Sequence, residues 1–326
     1  MRIEVLSVSK YLRPVRAGED VPLIVPGRAY AVLDGATDVN GSKIAGLNSG
    51  RFAALTCAAA LAAVAAAEPA EAHTPEELVA MLNARLGAEL DDWSQKLGRP
   101  VGAATTLALM EPIGDRFRFT LVGDSGIRIN GSETFQCLKP VDDVMSAGRV
   151  LLQRLLEARG VDPADLEAKS RQGVFHGFDA AVPELISAED AARLIAESRA
   201  ALAAQGFSAP VLDSVEPMLR AGIARGQYAH ANDPVHPMGY ASIDGTRSDG
   251  FGFLSFERPA EEVRTVEIFT DGYLERPDEV SIAAWEAVAA RIEAEDPKKV
   301  ITHWGVKGSN EVQLFDDRTV IILTAP

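Results

Sequence analysis

Apolar positions along the chain fall into two textures, one of period two and one of helical period. Ile3 and Val5 alternate with Arg2 and Glu4, which predicts a strand over residues 1–8. A second apolar run at 28–33 ends abruptly at Asp34-Gly35. Between the two lies a polar, proline-marked loop that carries Gly18-Glu19-Asp20. A glycine-containing loop at 36–46 leads into an alanine- and leucine-rich stretch, read as a helix from about 49 to 68 with Ser49 as its cap. Thr74-Pro75-Glu76-Glu77 opens a second helix running to about Leu97. Threonine caps it, proline takes its first position, and the glutamates face its positive end.

The period then changes. Residues 104–110 and 116–122 predict a hairpin around Pro112-Ile113-Gly114-Asp115, and 127–129 with 134–138 a second one turning at Asn130-Gly131. From 140 to 236 the texture is helical, with Leu151, Leu152, Leu155 and Leu156 as an apolar stripe and a helix opening at Ser187. Strands return at 240–243, 250–256 and 263–269, followed by a helix at 280–294 and a closing strand at 312–323. Hairpin signals outweigh strand–helix–strand alternation. That predicts an α+β fold of antiparallel sheets covered by helices. No linker divides the chain, so we expect one domain over 1–326 with a helical insertion at about 140–236.

Composition narrows the function. The formal net charge of −15 disfavours a nucleic-acid or acidic-membrane partner, because such binding needs Lys and Arg against phosphates. The two cysteines, Cys57 and Cys137, have no CxxC spacing, so neither zinc nor a disulfide framework is indicated and a cytoplasmic setting is expected. The uncharged stretch 53–67 is short and alanine-rich, which fits a buried helix better than a membrane span. The five histidines lack zinc spacing, Ser125 has no nucleophile elbow around it, and no phosphate-loop or dinucleotide glycine pattern occurs.

What remains is a repeated feature: apolar strand patterns that end in aspartate. Asp34-Gly35, Gly123-Asp124, Asp271-Gly272 and Asp316-Asp317 are all of this kind, whereas Asp244-Gly245 reads as an ordinary turn. Carboxylates brought together raise one another's pKa unless a cation sits between them. Mg²⁺ or Mn²⁺ suits such oxygen ligands, and glycine next to the aspartate lets the backbone approach closely. Two ions roughly 3.5–4 Å apart can activate water and clamp a phosphoryl group, which removes the need for a protein nucleophile.

Asp34-Gly35, Gly102-Ala103-Ala104-Thr105-Thr106, Gly123-Asp124-Ser125, Thr270-Asp271-Gly272 and Asp316-Asp317-Arg318-Thr319 stand in the order found in metal-dependent protein serine/threonine phosphatases of the PPM or type 2C family. The chain resembles that family over about 1–138 and 238–326. The resemblance implies a four-layer αββα sandwich of two antiparallel sheets flanked by helices. It also implies a centre of two Mn²⁺ or Mg²⁺ ions that hydrolyses phosphoserine or phosphothreonine in a phosphorylated protein substrate. Asp34 would bridge the ions, Gly35 would offer its carbonyl, and Asp271 and Asp316 would ligate one ion. Glu19 and Asp20 would hold metal-bound water, and Asp124 resembles the aspartate associated with a third, weaker metal. On this reading Asp34 and Asp271 are the catalytic pair.

The departures from the pattern are specific. Gly18 replaces an asparagine, Val15 falls where a phosphate-binding arginine is expected, and Arg13 and Arg16 are the nearby substitutes. Ala36-Thr37-Asp38 replaces a double glycine and leaves no histidine general acid; Gly126 replaces an arginine; Asp317 replaces an asparagine and is expected to hydrogen-bond locally. These losses motivate two alternatives, a catalytically weak phosphatase-fold sensor or scaffold and a hydrolase of a small phosphate ester. Nothing in the sequence sets the oligomeric state.

Overall fold

The computed structural model describes the chain except for residues 37, 39, 183, 247–251 and 326. Parts of the expected 36–46 loop and 250–256 strand therefore lie outside the described residues, as does Thr37 of the Ala36-Thr37-Asp38 element. The chain divides into two compact units: 1–138 with 241–291 and 316–326, and 139–240 with 292–315.

The first unit contains the strands β1 (Arg2–Val8), β2 (Val21–Val25), β3 (Ala29–Leu33), β4 (Gly35–Ala36), β5 (Lys43–Ile44), β6 (Leu47–Asn48), β7 (Ala104–Thr105), β8 (Leu107–Ile113), β9 (Arg116–Val122), β10 (Gly126–Ile129), β11 (Glu133–Gln136), β12 (Phe253–Pro259), β13 (Thr265–Phe269) and β14 (Arg318–Thr324). Two five-stranded sheets result, ordered β1-β14-β13-β10-β11 and β12-β9-β8-β3-β2, and every pairing in them is antiparallel. The helices α1 (Ser49–Ala67) and α2 (Pro75–Leu97) belong to the same unit.

Alternate residues of a strand face opposite ways, and here both faces are covered. Val32, Met110 and Leu121 of one sheet pack against Ile127, Ile268 and Ile321 of the other. The intervening residues also bury. Leu33, Leu107 and Val122 meet α1 and α2. Phe269, Val320 and Ile322 meet Trp285, so helices flank the paired sheets on both sides. Burial of each such side chain contributes about 1.5–3 kcal/mol. Two-sided burial explains why these strands read as continuous apolar runs rather than as alternation.

Helix α1 is long and apolar enough to cross a membrane by length and composition. In the fold, Phe52, Ala53, Cys57 and Leu61 bury in the core instead. Its N-cap is Asn48; Ser49 lies inside the first turn, and its Oγ accepts a bond from the Asp38 N–H at 2.9 Å. Thr74 caps α2 through a reciprocal pair: Thr74 Oγ1 accepts from Glu77 N–H at 3.1 Å, and Glu77 Oε2 accepts from Thr74 N–H at 2.8 Å.

The second unit is built from α3 (Pro140–Ala158), α4 (Pro163–His176), α5 (Phe178–Ala181), α6 (Ala188–Ala204), α7 (Ala209–Asp213) and α8 (Val215–Gly222), together with 292–315. Val144, Leu152, Leu156, Leu194 and Leu219 form its core, with Leu151 and Leu155 packed beside them. Buried Arg149 donates to the carbonyls of Lys298 and Gly305 and pairs with Glu167 at 2.7 Å. The helix α9 (Ile282–Glu295) carries Trp285.

Some elements differ from expectation. β2 lies inside the predicted polar loop, where Pro22 is tolerated because β2 is an edge strand. Residues 240–243 form only isolated bridges, Tyr240 to Ala231 and Ile243 to Thr105. The closing strand starts at Arg318 rather than 312, because the Asn310 side chain turns the chain by accepting the N–H groups of Val312 and Gln313.

Candidate metal centre

Asp34 follows β3, Asp124 lies just beyond β9, Asp271 lies just beyond β13, and Asp316 precedes β14. One carboxylate oxygen from each of Asp34, Asp124 and Asp271 lies within 4.8 Å of the others. Threonines fix the first of these strand ends. The Asp34 carbonyl accepts from Thr105 Oγ1 at 2.9 Å and from Thr106 N–H at 2.8 Å, and Thr106 Oγ1 lies 2.6 Å from Ser125 Oγ. Thr270 does the same for Asp20: its hydroxyl donates to Asp20 Oδ2 at 2.7 Å and accepts from Thr319 N–H at 2.9 Å.

The glycines beside these aspartates serve backbone packing. A Cβ on Gly35 would lie 2.3 Å from the Gly50 carbonyl group, where the first turn of α1 crosses β4. A Cβ on Gly272 would lie 1.8 Å from the Asp317 carbonyl oxygen. The steric demand at both positions therefore comes from the chain itself, and it draws neighbouring segments onto Asp34 and Asp271.

The electrostatics follow from crowding. Burial first, then Asp20, Asp316 and Asp124, push the Asp34 carboxyl well above the usual carboxylate range. Burial, then Asp34, Asp124 and Asp316, do the same to Asp271. Asp20 is pushed up to about 7, chiefly by burial and against the opposing Thr270 hydrogen bond. Asp20 is only 5% exposed, and its Oδ1 carries no hydrogen bond. A buried, orphaned carboxylate oxygen is unfavourable unless something binds it.

The other end of the site holds a cation that sequence reasoning missed. Lys10 Nζ lies 2.8 Å from Glu19 Oε2, 3.1 Å from Asp317 Oδ2 and 3.4 Å from Asp316 Oδ1. Burial alone would lower its pKa, but Asp316, Glu19 and Asp317 outweigh burial and hold it above the ordinary lysine value. Asp317 does not bond only locally, as expected from sequence. Its Oδ1 accepts from Lys10 N–H at 2.7 Å and its Oδ2 from Glu19 N–H at 2.9 Å, binding the start of the chain to its end. A Cβ on Gly18 would lie 2.0 Å from Asp317 Oδ1. The two departures at 18 and 317 are thus one feature: the missing side chain at 18 makes room for the carboxylate at 317.

Arg51, in the first turn of α1, was also missed. Its Nη1 donates to the carbonyls of Gly18 at 2.7 Å and Asp20 at 3.5 Å, and it lines a cavity of about 380 Å³ with Ser7, Ser9, Asp20 and Asp317. Arg13 and Arg16, the expected phosphate-binding substitutes, are both exposed, and the Arg16 guanidinium stacks 3.7 Å from the Tyr11 ring. At Gly126 a Cβ would lie 2.3 Å from the Phe269 ring, which accounts for the lost side chain there. No signal in the sequence singled out Lys10 or Arg51. The paired changes at 18 and 317 were the available clue to Asp317.

No protein-family model matches the chain, and no curated protein matches it. Solved structures do. The catalytic domain of the serine/threonine protein phosphatase PstP in complex with two manganese ions is 17% identical, with 98% of this chain and 96% of that one covered at a TM-score of 0.44. The Mycobacterium tuberculosis phosphatase PstP/Ppp is 18% identical, covering 98% and 97% at 0.43. Stp1 from Staphylococcus aureus is 13% identical, covering 100% and 96% at 0.46. At such identities and scores the likeness by itself assigns no activity to this chain.

Proposed function

We propose that this chain is a Mn²⁺- or Mg²⁺-dependent phosphatase acting on phosphoserine and phosphothreonine in proteins. The observation that carries the reading is the convergence of Asp34, Asp124 and Asp271 within 4.8 Å, beside the buried and orphaned Asp20 Oδ1. The donor set is all oxygen, which suits hard divalent cations and not zinc. Asp34, Asp124 and Asp271 would hold one edge of the centre, with Asp20, Asp316 and Glu19 around it and the Gly35 carbonyl within the same strand end. When bound, the ions supply Lewis-acid activation of water and neutralise charge on the phosphoryl group.

The chain's own residues do the rest. Thr105 and Thr106 fix the backbone at Asp34, and Thr270 holds the Asp20 carboxylate in place, so that carboxylate need not reorganise during reaction. Asp34 and Asp271 share close quarters, and their raised pKa values mean that a cation must displace protons to bind. Ala36 offers no titratable group after Gly35, so the leaving alkoxide takes its proton from solvent. The motif order in the sequence supports a protein phosphoester over a small metabolite.

The test is phosphate release from an aryl phosphate and a phosphothreonine peptide with Mn²⁺ present. Release should require the metal, and Asp34→Asn or Asp271→Asn should lower it by on the order of 100-fold or more. Equal release by those variants would overturn the reading. Preference for small phosphate esters in kcat/KM would move it to the metabolite alternative.

A further inference from the structure

Two of the loops that bring carboxylates to the centre are joined by side chains outside it. Asp124 lies between β9 and β10, and Arg276 lies on the loop after β13 that also carries Asp271. Gln136, at the end of β11, connects them: its Oε1 accepts from Arg276 Nη2, and its Nε2 donates to the Asp124 carbonyl. A side-chain amide can turn either way, but a guanidinium only donates and a carbonyl only accepts, so the two neighbours fix the orientation of this one. The register of the sheet explains why they meet. Gly126 pairs with Gln136 on one side and with Phe269 on the other, so the three positions share a face. Gly126 puts no side chain there, and a Cβ on it would lie 2.3 Å from the Phe269 ring. The ring fills that space, and the Arg276 guanidinium lies 5.0 Å from the ring centroid. Buried Arg128, paired with Glu267, donates to the Pro277 carbonyl and anchors the loop next to Arg276.

We propose that Arg276 and Gln136 are positioning residues that hold the Asp124 turn against the Asp271 loop, and so set the affinity for the ion that Asp124 helps to hold. This rests on the metal-centre reading above. Asp124 is among the charges that raise the pKa values of Asp34 and Asp271, so without a cation these carboxylates repel one another and the turn is pushed outward. The bond from Gln136 pins the Asp124 carbonyl against that push, and Ser125 Oγ, 2.6 Å from Thr106 Oγ1, pins the next residue. Carboxylates already gathered bind a cation more tightly than carboxylates that binding must gather. Arg276 keeps the link closed. It is half-buried, burial and then Arg128 hold its pKa below the ordinary arginine value, and among the described residues no carboxylate forms a salt bridge to it. A guanidinium in that setting depends on neutral acceptors, and it has Gln136 Oε1 and the Leu274 carbonyl at 3.5 Å, while its Nε has none.

The experiment is a Mn²⁺ titration of the full chain by calorimetry, with free Mn²⁺ counted by electron paramagnetic resonance. Asp124→Asn identifies the ion: the affinity class it weakens is the one that Asp124 helps to hold. Arg276→Met and Gln136→Leu should each weaken that class at least five-fold and move the remaining binding less than two-fold. The double variant should bind within two-fold of the weaker single variant, because both residues act through one chain of bonds. A merely structural role would lower the melting temperature and leave the affinities alone, or shift every class together. If Arg276→Met fails to fold, by circular dichroism, Gln136→Leu decides under the same limits. Unchanged affinity in either folded single variant, equal weakening of every class, or losses that multiply in the double variant overturns the proposal while leaving the metal centre standing. An Asp124→Asn variant that binds like the wild type overturns it as well, since no ion then depends on that turn. No Mn²⁺ binding by the wild type overturns the metal centre itself, and the proposal with it.

Discussion

Asp20 concentrates the electrostatic cost of the site in a single residue. Its carboxyl is pushed from 3.8 to about 7, mainly by burial. Between those values the folded chain keeps a proton that the unfolded chain has lost. The stability this group contributes is present in full below pH ~4 and is lost as pH rises toward 7. Asp34 and Asp271 shift in the same direction. Metal-free protein should therefore melt at a lower temperature at pH 8 than at pH 5, and Mn²⁺ should raise the melting temperature most at pH 8. Asp143, pushed up to about 6, adds to the slope, and His236, held below its ordinary value, opposes it. A comparison with Asp20→Asn separates them. That variant should flatten the pH dependence of melting in chelator, measured by circular dichroism from pH 5 to 8; a slope unchanged from wild type would contradict the assignment. At this scale the sequence was informative about carboxylates and silent about their cation. An aspartate after an apolar run announces itself, whereas Lys10 is one lysine after one strand, and only folding brings it to Asp316 and Asp317.

At the scale of elements, the contact between β4 and α1 is the joint on which Asp34 depends. Gly35 and Gly50 face each other backbone to backbone, and a Cβ on Gly50 would lie 2.6 Å from the Gly35 carbonyl group. Gly35→Ala or Gly50→Ala forces the first turn of α1 away from the strand end. Overpacking of this kind costs about 1–3 kcal/mol, and backbone neighbours yield less than side chains do. Urea unfolding should show that loss for each variant, and Mn²⁺ affinity should fall with it because Asp34 moves. Unchanged affinity in a destabilised Gly35→Ala would mean that the strand end holds Asp34 without help from α1. The helices with caps and the hairpins with strong turns were legible in sequence, as Thr74 with Glu77 and Asn130-Gly131 illustrate. β2 was not, because Pro22 and a short apolar run read as loop until pairing with β3 supplies its hydrogen bonds. The 240–243 segment erred the other way, since its apolar residues bury without joining a ladder.

The centre draws on segments from nearly the whole length of the chain, and the Lys10–Asp317 bond alone joins residues 307 apart. No local stretch could bind the proposed metals, so binding should be linked to folding of the first unit rather than to any one loop. Ligand at about 100 times its Kd stabilises the binding state by about 2.7 kcal/mol, close to a hundred-fold in opening equilibrium. Hydrogen exchange followed by mass spectrometry should therefore show amides of 17–22, 29–36, 119–126, 265–273 and 316–322 slowing together on addition of Mn²⁺. The slowing should be greatest in β3, β13 and β14, whose amides open only with their sheets. α6, in the second unit with its own core, should change less. The concerted response is what distinguishes a shared centre from adventitious binding at surface carboxylates, which would protect a few amides near one segment. Protection confined to one of the five segments would show that the carboxylates do not act as a single site.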